Sequence, residues 1–208
     1  MNDVNNAVKA KIAYFNELGP NWDQIVGNDG ERLEALRRVF DMVTLRENDT
    51  VLDVGCGNGV LFKLILERIG ENGRLTAIDS SETMISRARE LHKNYFNIEY
   101  INISAESADF ENDCFDVILC FAVFPHIDDK KNALFLFNRI LKKTGKLYIF
   151  HLSDTESLNR FHSTLDAPVR IDMMPHKDEF ETMLSGTSFR ISEYIDQEGL
   201  NFIECKLC

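Results

Sequence analysis

The stretch VLDVGCGNGVLFKLIL, Val51 to Leu66, decides how the chain is read. An apolar run with strand character carries the acid Asp53, three glycines follow at Gly55, Gly57 and Gly59, and apolar residues then recur at helical spacing. A glycine loop between strand and helix lets the backbone approach a ligand closely, and its first glycine can take a positive φ for a sharp turn. A dinucleotide fingerprint requires a third glycine three residues after the second. That position is Val60, and no Walker lysine follows. Asp53 narrows the ligand further. A carboxylate beside a pyrophosphate adds like-charge repulsion, whereas beside an ammonium or sulfonium it is favourable. The ligand expected at this loop is therefore cationic.

The next strand, RLTAID, ends in Asp79, twenty residues after Gly59. An acid there can accept hydrogen bonds from both hydroxyls of a ribose. Asp79 also suits the N-cap of the helix that follows, and the two roles are compatible. A nucleoside with a cationic amino-acid tail describes S-adenosylmethionine.

Outward from the loop, two helical segments precede it, Val4 to about Leu18 and Gly30 to about Leu45, broken by GPNWDQ at Gly19 to Gln24. Strand and helix then alternate: TVLDV, RLTAID, IEYINI, FDVILC and KLYIFH are strands, with helices GVLFKLILERI, SETMISRARELH, DKKNALFLFNRILKK and one from about Thr155. This alternation implies a parallel sheet covered on both faces. TSFRISEYID and GLNFIECKLC, around the turn QEG, read instead as an antiparallel pair completing the sheet. Pro168 and Pro175 bracket a loop, PVRIDMMP, before a short helix near Lys177. The expected fold class is a doubly wound α/β sheet, mostly parallel, in one domain over 1–208: residues 1–46 form an N-terminal helical cap and 47–208 the core.

The 208 residues carry 23 basic and 34 acidic side chains, a net charge of -11 that opposes polyanionic partners and disfavours nucleic acid. No apolar run approaches the roughly 20 residues that span a bilayer, so no membrane association is expected. The N-terminus lacks a secretory signal, and five irregularly spaced cysteines suggest no disulfide framework. A cytoplasmic location is expected; the sequence leaves oligomeric state open.

VLDVGCGNG, AIDSSETM, NISAESADFENDCFDVILC and LKKTGKLYIF together resemble the class I S-adenosylmethionine-dependent methyltransferases, a Rossmann-like fold family, and within it the small-molecule branch that includes quinone-biosynthesis methyltransferases. The resemblance covers about Tyr14 to Phe150. It implies that the backbone of Gly55, Cys56 and Gly57 meets the methionine part of the cofactor, that Asp53 meets its amino group, and that Asp79 with neighbouring Ser80 holds the ribose. It places Met84 against the adenine and Cys120 and Phe121 beside the methionine and the reacting methyl. Where the family usually has Asp-Ala, this chain has Ser104 and Ala105. Ser104 offers a hydroxyl instead of a charge, which leaves Glu106 to supply the missing adenine acceptor. YFNELGPNWD resembles the family's N-terminal lid, with Tyr14, Phe15 and Trp22 available to cover the cofactor or, alternatively, to pack the helix onto the domain.

The implied reaction is methyl transfer to a small-molecule acceptor by in-line displacement, in which the protein mainly aligns the acceptor and excludes water. The alternatives are a non-catalytic cofactor-binding regulator and an RNA methyltransferase. Three histidines are candidates for proton handling: His126 after the fourth strand, His151 ending the fifth, and His162 on the next helix. The catalytic expectation falls on His126 and His151, against the alternative of ordinary loop and helix-end residues. Their spacing matches no standard metal site, so no metal is expected.

Overall fold

A computed structural model of the protein describes residues 2–22 and 30–208. Five strands, β1 (Thr50–Val54), β2 (Arg74–Asp79), β3 (Ile98–Asn102), β4 (Phe115–Phe121) and β5 (Leu141–His151), are parallel. β6 (Phe189–Gln197) and β7 (Leu200–Leu207) pair with each other antiparallel, and β7 docks antiparallel on β5. The sheet order is β3-β2-β1-β4-β5-β7-β6. Chain direction along the sheet reverses between β1 and β4, which opens a ligand crevice at the carboxyl ends of those central strands.

Both faces of the sheet are buried, and the alternation of side chains sorts β1, β4 and β5 between them. Leu52, Ile118, Leu147 and Ile149 pack on one side with Phe137 and Phe180; Val51, Val117, Leu119, Tyr148 and Phe150 pack on the other with Phe40 and Phe62. Helices α1 (Asn2–Leu18), α2 (Gly30–Phe40), α3 (Phe62–Ile69), α4 (Glu82–Leu91), α5 (Lys130–Ile140), α6 (Thr155–Thr164) and α7 (Lys177–Met183) complete the described layers. Three start at a capping side chain: Ser81 accepts from the Met84 amide, Asp129 from Asn132 and Asp154 from Ser157, so the cap of α4 is Ser81 and not Asp79, which stands two residues earlier at the end of β2.

Two helices end earlier than their periodicity predicts. α2 stops at Phe40 rather than near Leu45, because the Arg68 guanidinium donates to the carbonyls of Phe40 and Val43 and pairs with Asp41 at 2.6 Å. α5 stops at Ile140 rather than Lys143, because the amides of Asp113 and Cys114 donate to the carbonyls of Arg139 and Ile140. The segment from Leu141 therefore enters β5 several residues before Lys146. The GPNWDQ break begins as a short 3-10 turn over Gly19–Asn21; its part beyond Trp22 lies outside the described residues.

The turn after β1 has no room for a side chain. Gly55 has φ 64°, and a Cβ there would lie 2.1 Å from a Val123 methyl. Gly55→Ala is expected to lower the unfolding free energy by roughly 2–4 kcal/mol, from left-handed backbone and overpacking together. Gly30→Ala, with open space around the position, is the matched control. Urea denaturation of the two variants checks this, and equal stabilities would contradict it.

Candidate cofactor and acceptor site

The first turn out of β1 is fastened to the end of β2. The Cys56 amide donates to the Ile78 carbonyl, the Gly57 amide to Asp79 Oδ2 at 2.9 Å, and the Ser81 amide to Asp79 Oδ1 at 2.8 Å. Burial raises the Asp79 carboxyl above its ordinary pKa although these two amides oppose the shift. Each Asp79 oxygen is thereby fixed in place while keeping a second lone pair.

Two adjoining cavities lie at the carboxyl ends of the central strands, sharing Trp22, Gly55, Gly57 and Ala122 as walls. The larger cavity is lined by Asp79, Ser80, Met84, Ile103, Ser104, Ala105 and Glu106, and also by Lys11, Phe15, His126 and Asp128. The smaller is lined by Asp53 of β1, by Cys56 and Asn58 from the loop, by Arg32 and Leu36 of α2, and by Phe121. Asp53 is 2% exposed and its Oδ2 has no hydrogen-bond partner. Burial, with the Asp79 charge adding to it, pushes the Asp53 carboxyl well above its ordinary pKa. A cation brought to that oxygen would oppose both effects by favouring the ionised carboxylate.

The other expected residues fall into two groups. Gly55, Gly57, Asp79, Ser80, Met84, Ser104, Ala105 and Glu106 lie together on the larger cavity, and Cys56 joins Asp53 on the smaller. The Glu106 side chain also secures a loop: its Oε1 accepts from the amides of Asp128 at 2.7 Å and Asp129 at 3.3 Å. Ser104 Oγ donates to Ser107 Oγ. Two residues stand off the walls. Cys120 is fully buried in the apolar layer beneath the site, where burial drives its thiol pKa well up. Tyr14 packs edge-on against Phe15 at 5.4 Å, and it is Phe15 and Trp22 that face the larger cavity.

The three histidines lie near one another, and of them His126 lines that cavity. Its Nδ1 is 2.7 Å from Asp172 Oδ2 and its ring 5.0 Å from that of His162. His162 Nδ1 meets the Asp172 carbonyl. His151 is buried with Nε2 unpartnered; burial, then the nearby His126 and His162, holds its pKa down at about 3, so it is neutral. Among the described residues no group of side chains could hold a metal ion.

Sequence reasoning missed Lys11 and Asp172. Lys11 Nζ contacts Asp128 at 2.5 Å, Asp172 at 2.8 Å and the His126 carbonyl at 3.1 Å. Burial opposes its charge, yet these partners leave its pKa raised. The available signals were a lysine in helical register with Val8, Ile12 and Phe15, and the one acid of PVRIDMMP.

A sheet of this order, with its ligand crevice at the switch point and an acid ending β2, defines a Rossmann-like nucleoside-binding protein. A family model described as a methyltransferase domain matches residues 45–187, and the chain belongs to that family as a class I S-adenosylmethionine-dependent methyltransferase. The ubiquinone/menaquinone biosynthesis C-methyltransferase UbiE of Escherichia coli is 27% identical over 183 residues, 76% of this chain and 73% of its own length. The Klebsiella pneumoniae protein of the same name is 32% identical over 120 residues, 56% of this chain and 48% of its own length. The fold is shared with an Aquifex aeolicus methyltransferase (TM-score 0.72, 20% identity, 95% of this chain and 98% of that one). It is shared also with the methyltransferase solved with the Haloferax volcanii Trm112 activator (TM-score 0.78, 17% identity, 93% and 97%).

The walls fit this donor. The orphaned carboxylate oxygen of Asp53 matches an ammonium, the anchored Asp79 matches a ribose, and Met84 and Ile103 offer apolar surface to a base.

The neutral His151 has a consequence for stability. Its folded pKa of about 3 lies below the unfolded value near 6.5, so as pH falls through that window the unfolded chain takes up a proton the folded one refuses. Stability is lost as pH falls from about 6.5. His151→Leu is expected to remove about 2 kcal/mol of the decline between pH 6.5 and 5, measured by urea denaturation at each pH. Parallel curves for wild type and variant would contradict it.

Proposed function

We propose that the protein methylates a small molecule whose nucleophile bears a proton, and that His126 removes that proton. S-adenosylmethionine, when bound, supplies a methyl group already activated on a sulfonium. The chain's own residues hold and orient. Asp53 pairs with the donor's ammonium, Asp79 accepts from its ribose hydroxyls, and Ser80, Met84, Ser104, Ala105 and Glu106 border the base. Phe15 and Trp22 of the 1–46 cap roof the cavity and exclude water.

The observation that carries the reading is His126 itself, on the wall of the cavity that Asp79 also lines, with Nδ1 held by a carboxylate. Burial opposes ionisation of Asp172, but the His126 and Lys11 hydrogen bonds bring its pKa below the ordinary value. An ionised carboxylate only accepts, so His126 Nδ1 carries a proton, and in the neutral imidazole Nε2 keeps a lone pair able to take one from an acceptor. His151, with Nε2 unpartnered and the ring held neutral, is buried near this base and does not line the cavity.

A small acceptor is supported by the roof, which α1 fastens at one side through Lys11 and at the other through Asn16, whose Oδ1 accepts from Ser81 Oγ at 2.7 Å. The net charge of -11 argues against RNA, and the UbiE relatives are named for quinone biosynthesis. The five cysteines are free thiols, which supports a cytoplasmic setting. No helix among the described residues is long and apolar enough to cross a membrane.

Methyl-labelled S-adenosylmethionine, incubated with the protein and the small-molecule fraction of a cell extract, is expected to yield a labelled small product. Label entering only RNA would contradict the proposal. Asp79→Ala should weaken donor binding at least tenfold by calorimetry, about 1.4 kcal/mol or more; unchanged affinity would mean that the ribose is held elsewhere. His126→Ala should lower turnover of the labelled product about 100-fold, with donor affinity little changed. Full turnover in that variant would remove His126 from the chemistry.

A further inference from the structure

Resting on the assignment of His126 as the base, we infer that Asp172 is the positioning residue that sets its tautomer, and that Lys11 of the cap helix fixes which Asp172 oxygen faces it. Asp172 follows the short 3-10 turn Val169–Ile171, where its amide donates to the Val169 carbonyl. From there a single residue reaches three partners. Oδ2 accepts from His126 Nδ1 at 2.7 Å, Oδ1 accepts from Lys11 Nζ at 2.8 Å, and the carbonyl accepts from His162 Nδ1. Both rings are thus hung by Nδ1–H from one residue, 5.0 Å apart, with each Nε2 left as the basic atom.

Lys11 cannot serve the acceptor directly. Its three N–H donors are matched by Asp172, Asp128 and the His126 carbonyl. Its ammonium accepts nothing, so whatever faces it at position 172 must be an oxygen. In the wild type both atoms are oxygens and the constraint is silent. In Asp172→Asn it becomes decisive. The amide oxygen is drawn to Lys11, the NH2 is turned toward His126, and Nδ1 must then accept. His126 becomes the Nε2–H tautomer, whose remaining lone pair no longer faces the acceptor.

Nitrogen-15 NMR of the imidazoles, with calorimetry of donor binding and turnover of labelled product, tests this. In Asp172→Asn, His126 is expected to change from Nδ1–H to Nε2–H and turnover to fall about 100-fold, while donor affinity stays within threefold and His162, bonded to the backbone, keeps its tautomer. Adding Lys11→Met frees the amide to rotate, and the Nδ1–H form of His126 should return. This double variant also lacks the lysine charge that the single one leaves underpaired, so it reports where the single variant does not fold; an Nε2–H form in it counts against the inference. An unshifted His126 in Asp172→Asn overturns the inference whether or not turnover falls, because a lost rate would then be structural. A shifted tautomer with full turnover leaves Asp172 as the positioning residue and removes His126 as the base.

Discussion

Asp53 is the constraint around which the rest of the molecule is arranged. It stands on a central strand with both faces buried, two residues before the chain enters a left-handed glycine turn at Gly55. Val51, on the same face two residues earlier, is core, and Asp53 takes the next place in that row with one oxygen unpaired. An unpaired carboxylate so placed costs several kcal/mol, which the fold carries only where something else recovers it. Hydrophobic burial on both sides of the sheet fixes the position, and the cavity that Asp53 lines is where a cationic ligand would supply the missing partner. The close turn over Gly55 to Gly59 and the amides given to Asp79 follow from the same need: backbone must come near the ligand, and the second acid must be held apart from the first.

The cap helix makes one crevice of two sides that the sheet alone leaves apart. At its carboxyl end, Asn16 accepts from the Ser81 hydroxyl and the Thr83 amide, over the helix that follows β2. Five residues earlier, Lys11 binds the loop after β4 and the loop before α7. Between these ties, Ile12 and Phe15 face the cavity. The helix therefore ties the Asp79 side of the crevice to the loop that carries His126. Its lysine pairs with two acids, Asp128 and Asp172, that would otherwise repel each other.

Much of this was legible in the sequence because it is local. The strand, turn and helix around Asp53 are contiguous, and Asp79 lies at a spacing set by one helix and one strand. The alternating pattern predicted the parallel sheet, and the paired apolar runs at the end predicted its antiparallel edge. The early ends of α2 and α5 were hidden because each depends on a distant donor, Arg68 for one and the amides before β4 for the other. Lys11 and Asp172 were hidden for the same reason: they meet across the whole fold, and neither sits in a motif. Tyr14 and Phe15 differ by 100° around a helix, and only the docking of that helix decides which of them faces the cavity.

The most direct measurement compares calorimetric affinities for S-adenosylhomocysteine and methylthioadenosine, which differ by the amino-acid tail, in wild type and Asp53→Asn. If the buried carboxylate selects its ligand by charge, the wild type prefers the compound with the tail by at least tenfold and the variant loses most of that preference. A variant that discriminates as well as the wild type would contradict the account.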